Sequence, residues 1–299
     1  MRLQHLQLLL TLAEAGSLRA SAHLMNVTPP ALTKALRQLE QEFGTALVLR
    51  TPKGVRLAPA GEMLAARAAI VMRELDRARE EIAWHTRHAD ALVTLGVSPA
   101  AAILVVPGAL ARFGARWPQV RVRVVDSLYP RVLAQVRAGE LDLAIGPLPH
   151  DGVGPDVAVQ PLFDSQVVIA ARRVHALARA RRLADLADAA WVLTGPAGGP
   201  GDPVHLALET RGFAPPKVRL ECESFSTLLA LMPGLDVIGV MPRAFFERYG
   251  PRMELVALPI GDPLPATTIH LLSRMDRPLT IPAQRLFEAI AQEARGLRP

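Results

Sequence analysis

A long helical segment divides this chain of 299 residues into two parts with different patterns. Between residues 59 and 88 no proline or glycine interrupts the sequence after Gly61, and apolar residues recur in alternating steps of four and three. This spacing is a heptad seam, and on a helix about 40 Å long such a seam needs a partner surface. It either packs on the chain's own core or pairs with a second copy, and its charged flanks favour the homodimer. The seam residues are Leu64, Ala68, Val71, Leu75, Ala78, Ile82 and His85.

The residues before this seam predict three helices followed by a short hairpin. Apolar residues at helical spacing indicate a first helix that ends at Gly16, and Ser17 can cap a second helix over residues 18–25. Thr28 can cap a third helix over residues 29–43, whose first turn tolerates two prolines. Residues 47–49 and 55–57 predict two strands, joined by the turn-forming residues 51–54. This order of elements indicates a winged helix-turn-helix.

Basic residues are concentrated in this first part. Residues 1–59 contain seven Lys or Arg and three Asp or Glu, which is a net charge of +4 out of +6 for the whole chain. A recognition helix reads base edges in the major groove from its N-terminal turns, while a wing meets phosphates or the minor groove. The alternative is an ordinary solvated helical domain. The candidate DNA contacts are Thr28, Thr33, Lys34 and Arg37 on the third helix and Arg50, Lys53 and Arg56 on the wing.

From Ala91 onward, short apolar runs alternate with helical runs. Strands over residues 92–97, 120–125 and 141–145, with helices over 99–116 and 130–138 between them, predict a βαβαβ unit with a parallel sheet. A second series has strands over 166–171, 191–193, 217–222 and 236–241 and helices over 204–211 and 225–231. A late strand over 267–272 and a helix over 281–295 complete the pattern. The predicted fold class is α/β, and 50% apolar residues suffice for its cores.

Four segments of the first part resemble the LysR-type transcriptional regulators. They are LAEAGSLRASA at residues 12–22, VTPPALTKALRQLE at 27–40, LVLR at 47–50 and LAPAG at 57–61. Pro30 matches the proline of the family's Ser-Gln-Pro and joins the candidate DNA contacts. Thr28 and Pro29 replace the Ser and Gln of that motif, and Ala35 replaces a frequent glutamine. These departures shift the expected base contacts to Thr33, Lys34 and Arg37.

The resemblance implies an N-terminal winged helix-turn-helix over residues 1–58, a linker and dimerisation helix over 59–89, and a periplasmic-binding-protein-like effector domain over 90–299. It places lobe I of that domain at about 90–161 and 267–299, and lobe II at about 162–266. The implied function is regulation of transcription at a pseudo-palindromic double-stranded DNA site, by a homodimer or homotetramer that a small organic acid controls. The alternative is a DNA-binding protein that oligomerises and needs no effector.

Ligands of such two-lobed folds lie where strand ends and helix starts face a cleft. Ser98 lies at such a place, and its hydroxyl is either an anion ligand or a plain helix cap. Thr194 precedes a glycine-rich loop that either approaches a ligand or is simply flexible. Phe225 and Ser226 can stack on and hydrogen-bond an aromatic acid, with core packing as the alternative for Phe225, and Tyr129 is the fifth candidate. Segments 222–225 and 241–243 resemble a subgroup that includes regulators of aromatic sulfonate and aromatic acid degradation.

The sequence disfavours several other classes of function. Cys222 is the single cysteine, which excludes an intrachain disulfide, fits a reducing compartment and indicates a buried thiol. His85 and His88 have metal-like spacing but no further ligand near them in sequence, so we expect no metal and no cofactor. No nucleophile–base motif or phosphate-binding loop indicates an enzyme. The N-terminus has no secretory pattern and the apolar run at 98–111 is too short to cross a bilayer, so a cytoplasmic protein without membrane contact is expected.

Overall fold

The computed structural model describes residues 2–52, 54–87, 91–149, 151–200 and 202–297. The chain forms two compact units, Met1–Arg87 and His88–Pro299. The first unit is helical with a two-stranded hairpin, and the second contains two five-stranded sheets.

The first unit has the predicted order of helices and strands. Its elements are α1 (Leu3–Ala15), α2 (Leu18–Leu24), α3 (Pro29–Phe43), β1 (Val48–Thr51), β2 (Gly54–Leu57) and α4 (Pro59–Arg87). Both predicted caps are confirmed: the Ser17 hydroxyl accepts a hydrogen bond from the Ala20 N–H, and the Thr28 hydroxyl accepts one from the Ala31 N–H. These caps satisfy amide groups that the first turn of a helix leaves without partners. The winged helix-turn-helix is therefore present.

The wing is fixed to the helices by its first buried residue, Leu47. Leu47 packs with Leu9, Leu39 and Ala65 in one apolar cluster, which joins α1, α3 and α4 to the hairpin. Gly61, in the first turn of α4, lies against the Leu47 carbonyl so closely that a Cβ there would be 2.0 Å from the oxygen. The glycine of the LAPAG segment is thus required by a close approach of two backbones.

The heptad seam of α4 divides into a covered and an open part. Leu64 joins the cluster around Leu47, and Ala68 is 1% exposed, so this end of the seam packs on the chain's own first unit. Farther along α4, Val71 is 41% and Ile82 is 64% exposed. The side chain of His85 lies outside the described residues, as does His88. Packing on the chain's own core therefore accounts for the first stretch of the seam, while pairing with a second copy stays a prediction for the exposed stretch.

The first sheet of the second unit has the order β4-β3-β5-β12-β6. We call the part of the unit built on it lobe I. The β3 strand pairs in parallel with β4 and β5, as the βαβαβ pattern predicted, whereas β12 pairs antiparallel with β5 and β6. Lobe I contains β3 (Ala91–Val97), α5 (Pro99–Leu104), α6 (Val106–Arg116), β4 (Val120–Asp126), α7 (Arg131–Ala138), β5 (Leu143–Pro147) and β6 (Val157–Ser165). From the C-terminal part of the chain it also contains β12 (Thr267–Arg274) and α11 (Ile281–Ala294).

The second sheet has the order β11-β7-β10-β8-β9 and forms lobe II. The β8 strand pairs in parallel with β9 and β10, while β7 is antiparallel to β10 and β11. Two apolar clusters, one centred on Trp191 and the other on Leu228, form its cores. Its elements are β7 (Val167–Arg172), β8 (Ala190–Leu193), α8 (Pro203–Glu209), β9 (Lys217–Glu221), α9 (Phe225–Leu231), β10 (Ile238–Pro242), α10 (Arg243–Tyr249) and β11 (Leu255–Ala257).

Four details differ from the pattern expected from sequence. The helix predicted over residues 99–116 is broken at Val105, because Pro107 has no N–H to donate and its ring crowds the preceding turn. The strands β6 and β11 and the helix α10 had not been predicted. Both sheets are mixed rather than parallel. The β6 strand continues the first sheet to Ser165, beyond Pro161, where the resemblance placed the crossing between lobes.

Candidate functional site: DNA-binding surface and ligand cleft

The predicted recognition helix α3 exposes one face to solvent. Its buried face is Leu32, Leu36 and Leu39. Lys34 and Arg37 are exposed on the opposite side, and Pro30 is exposed in the first turn. Thr33 is half-buried, and the Thr28 hydroxyl is already used as the helix cap. Lys34 and Arg37 are thus the exposed basic side chains of α3.

The wing carries two further exposed cations. Arg50 on β1 and Arg56 on β2 are both exposed. In the hairpin Arg50 is paired with Val55 and Arg56 with Leu49, so the two arginines lie on adjacent strands. Neither arginine forms an ion pair with another described residue, and the same holds for Lys34 and Arg37. Lys53 lies outside the described residues. Unpaired cations on a helix and a wing provide the charge that phosphate binding needs.

A cleft lies between the two lobes of the second unit. Four of the five predicted effector residues line it: Ser98, Tyr129, Thr194 and Phe225. The cavity volume is about 80 Å³, and a single water needs about 10–15 Å³. Its size therefore suits a small compact molecule. The strands on which the chain passes between the lobes also contribute to the wall, through Ser165, Val167, Thr267 and Ile269.

Ser98 has a buried hydroxyl that forms no hydrogen bond with a described residue. The residue is 3% exposed, and its Oγ contacts no donor or acceptor of the described chain. Its side chain does not cap α5, so the interpretation of Ser98 as a plain helix cap is wrong. Leaving a buried polar group unpaired costs about 1–3 kcal/mol. A ligand that bonds this hydroxyl would recover that free energy.

Thr194 and Tyr129 line the cleft from different lobes. Thr194 follows β8 and is half-buried. The next residue, Gly195, has φ +128°, and a Cβ there would lie 3.1 Å from the Tyr129 carbonyl oxygen. A side chain at Gly195 would strain the backbone and crowd the Tyr129 carbonyl oxygen. The glycine thus permits the loop after β8 to lie close to Tyr129.

Phe225 and Ser226 differ in their surroundings although they are adjacent. Phe225 is 6% exposed, packs in a core of lobe II and meets Phe245 edge to face at 4.8 Å between ring centroids. Phe225 therefore packs in the core of lobe II and also lines the cleft. Ser226 is exposed, is hydrogen-bonded to the Ser224 hydroxyl at 2.9 Å and lies outside the lining of this cavity.

Asp202 and three further hydroxyl residues were missed from sequence. The Asp202 carboxylate is buried in the cleft wall, where its Oδ1 accepts the His205 N–H and its Oδ2 accepts the Gly198 N–H, both at 3.1 Å. It thereby caps α8 and orders the glycine-rich loop. An Asp directly before the Pro that starts a helix is a known cap signal and could have identified it. The additional hydroxyl groups of the wall belong to Ser127, Ser165 and Thr267.

The described lining of the cleft contains no lysine, arginine or histidine. A carboxylate or sulfonate bound there would therefore be held by neutral donors, namely hydroxyl groups and backbone amides. Ser127 is already committed, because its hydroxyl bonds Gln135 Oε1 at 2.6 Å. The unpaired Ser98 hydroxyl, in contrast, is available as a donor to a ligand in the cleft.

Three other sequence expectations concern the chemistry of the chain. Cys222 is buried, and its thiol donates to the Ser224 carbonyl at 3.3 Å, as expected for a structural cysteine. Within the described residues, no three His, Cys, Asp or Glu side chains are grouped so as to hold a metal ion. None of the described helices combines the length and apolarity required to span a membrane.

Comparison with known families identifies the two units. Residues 3–62 match the bacterial regulatory helix-turn-helix protein of the lysR family, and residues 86–295 match the LysR substrate binding domain. The chain belongs to the LysR family. It is therefore a DNA-binding transcriptional regulator with an effector-binding domain.

Relatives of this LysR-family regulator cover most of its length. The HTH-type transcriptional regulator TdcA of Escherichia coli (strain K12) is 27% identical over 262 residues, which are 88% of this chain and 83% of TdcA. GbpR of Azospirillum brasilense is 26% identical over 293 residues, 97% of this chain and 86% of GbpR. The crystal structure of CbnR, a LysR family transcriptional regulator, shares the fold with a TM-score of 0.74 at 18% identity, over 98% of this chain and 99% of CbnR.

Proposed function

We propose that this regulator binds its operator through the exposed face of α3 and the wing, and that a small organic acid in the cleft changes this binding. The single observation that carries the effector proposal is the buried, unpaired Ser98 hydroxyl in a cleft with an apolar wall. In the same proposal residues 1–58 bind DNA, 59–89 link and dimerise, and 90–299 bind the effector. Lobe I then comprises about 90–165 and 267–299, and lobe II about 166–266, because β6 continues the first sheet to Ser165.

The operator is a pseudo-palindrome in this proposal, and two copies of the chain read its two halves. Support comes from the open stretch of the α4 seam, where Val71 and Ile82 are exposed. Apolar residues exposed at heptad spacing are covered when two helices pair. Structural neighbours of this fold include full-length CbnR in complex with its target DNA. Because the protein acts on DNA, we place it in the cytoplasm, without a membrane partner.

The effector is proposed to be an acid with an apolar, aromatic body, and the protein is proposed to have no catalytic activity. Leu193, Phe225 and Ile269 give the cleft apolar walls that suit an aromatic ring. Ser98 Oγ forms no hydrogen bond with a described residue, whereas a hydrolytic serine needs a base within hydrogen-bond reach. More specifically, we propose that this protein regulates the degradation of aromatic acids or aromatic sulfonates.

Ser98→Ala is the experiment that tests the effector site. A panel of benzoate, benzenesulfonate, amino acids and short aliphatic acids is first screened by thermal shift, since a true ligand raises the Tm. For the ligand found, Ser98→Ala should lower the affinity by roughly 5- to 150-fold, corresponding to about 1–3 kcal/mol for one buried hydrogen bond. Without ligand, the variant should unfold at the same temperature or slightly above, because it loses an unpaired buried hydroxyl.

Ser273→Ala provides the matched control for Ser98. Ser273 is also buried, in β12, and lies outside the lining of the cleft. This substitution should leave ligand affinity unchanged. If Ser98→Ala binds the ligand as the wild type does, the assignment of the site is wrong. If no compound of the panel binds, the alternative function, a DNA-binding protein that needs no effector, describes this chain better.

Arg56→Ala should weaken DNA binding in a way that depends on salt but not on sequence. Arg56 is exposed on the wing, where a contact to one phosphate is expected. Losing one such contact lowers the slope of log K against log salt concentration by about 0.9. The measurement is fluorescence anisotropy between about 50 and 200 mM salt, with operator and scrambled DNA. Arg173→Ala, which removes an exposed arginine of the second unit, is the control, and an unchanged slope for Arg56→Ala would remove the wing from the DNA interface.

A further inference from the structure

A second cavity adjoins the effector cleft at Ser98 and Phe225. Its volume is about 500 Å³, and Ser98, Pro99 and Phe225 are the residues that line both spaces. Most of the remaining wall comes from α5 of lobe I and from α9 and α10 of lobe II. Val97 at the end of β3, Asp126 at the end of β4 and Met253 complete it. Like the effector cleft, this cavity is built from both lobes, but it shares none of the Thr194 loop.

Asp126 is the one charged residue in the described lining of this second cavity. Its carboxylate accepts a hydrogen bond from the Phe225 N–H, and no described cation forms an ion pair with it. Burial raises the pKa of Asp126 above its ordinary value, and the bond from Phe225 opposes that rise. Asp126 is nevertheless an exposed residue, so its carboxylate is accessible from the cavity, and without a described cationic partner it attracts a cationic ligand.

Aromatic rings form one wall of the same cavity. Phe245 lies between Phe225 and Tyr249, with ring centroids 4.8 Å and 5.0 Å away. The Arg248 guanidinium, outside the lining, already lies 5.8 Å from the centroid of the Tyr249 ring. Aromatic faces attract cations in this way, and the attraction is larger where water is excluded. Leu229 and Met253 add apolar surface beside the rings.

We propose that this second cavity is a binding site for a small amine with an apolar body, whose ammonium group pairs with Asp126 while its body packs on Phe245 and Leu229. The ligand is therefore of opposite charge to the acid proposed for the effector cleft. Phe225 connects the two sites, because its backbone amide bonds Asp126 and its side chain lines the effector cleft. An amine bound there would contact both lobes and so influence their closure.

The test compares benzylamine with benzyl alcohol, which has the same ring but no charge, in calorimetric titrations of the full chain. Benzylamine should bind the wild type at least tenfold more tightly than benzyl alcohol. Asp126→Asn keeps an oxygen that can accept the Phe225 N–H, and should lower benzylamine affinity at least tenfold without affecting benzyl alcohol. Ser226→Lys, at an exposed position of the rim, should also lower benzylamine affinity because it supplies a competing ammonium group.

The Thr194→Val variant distinguishes benzylamine binding in the second cavity from binding in the effector cleft. Thr194 lines the effector cleft alone, so this variant should bind benzylamine as the wild type does. The proposal is overturned if benzylamine and benzyl alcohol bind with equal affinity, or if neither Asp126→Asn nor Ser226→Lys lowers the affinity for benzylamine. It is also overturned if Thr194→Val abolishes benzylamine binding. Absence of any benzylamine binding at tens of millimolar would overturn it as well, and would leave the acid-binding cleft untouched.

Discussion

Replacing Lys34 and Arg37 together by alanine is expected to weaken operator binding on the order of 10²- to 10⁴-fold. Each side chain projects from the exposed face of α3, opposite its buried leucines. A good side-chain contact to a base edge contributes about 1–3 kcal/mol of discrimination, and two such contacts multiply their effects. The operator is first selected from random DNA with the purified protein. Affinity for that operator and for a scrambled duplex is then measured by fluorescence anisotropy at one fixed salt concentration.

The comparison of the two duplexes decides what Lys34 and Arg37 contact. Loss of operator affinity with a smaller loss on scrambled DNA assigns them to bases, whereas an equal loss on both assigns them to phosphates. The control replaces Arg173 and Arg252, two exposed arginines of the second unit, and removes the same net charge. If this control weakens operator binding as strongly, the recognition face of α3 has been assigned wrongly.

The first unit could be predicted closely because its signals are local. Ser17 and Thr28 cap helices through bonds to amides three residues away, and Gly44 ends α3 in a left-handed conformation. Such contacts depend on neighbours in sequence, which a single chain displays directly. The break at Val105 was also local, since Pro107 stands in the middle of the predicted helix. It could have been predicted from the proline alone.

The second unit was less predictable because its pairings join distant parts of the chain. The β6 strand pairs along its length with β12, more than a hundred residues later, and neither the pairing nor its antiparallel direction is visible in a local pattern. The effector cleft shows the same limit. Ser98 was identified from its place after a strand, but that its hydroxyl lacks a partner follows only from the packing around it. Ser226 was expected in the effector cleft together with its neighbour Phe225, but Phe225 lines that cleft and Ser226 does not.

The position of the cleft indicates how a ligand would act on the lobes. The chain passes from the first sheet to the second between Ser165 and Val167, and it returns to the first sheet at Thr267. Residues at both passages line the cleft. A ligand that contacts these strands as well as Ser98 and Thr194 therefore binds more favourably to one relative orientation of the lobes. Such differential binding is what shifts a two-state equilibrium.

Gly61→Ala is the second substitution with a large expected effect, because its Cβ would lie 2.0 Å from the Leu47 carbonyl oxygen. Backbone atoms cannot move aside as a flexible side chain can, so the wing and the first turn of α4 must separate. Overpacking of this kind costs about 1–3 kcal/mol, and for a unit of this size each kcal/mol lowers the Tm by about 4–8 °C. Operator affinity should fall with it, because Arg50 and Arg56 are carried by the displaced hairpin.

Gly114→Ala is the matched control for Gly61→Ala. Gly114 lies in the helix α6, where a Cβ would meet nothing within 4 Å beyond its own stretch of helix, so alanine there should stabilise the helix by about 0.5–1 kcal/mol. Thermal unfolding of the full chain, followed with and without the effector-cleft ligand, separates the two units. In Gly61→Ala the transition of the first unit should move to lower temperature while the ligand-dependent transition stays in place. A first unit as stable as that of the wild type, with operator binding intact, would show that the wing does not depend on its contact with Gly61.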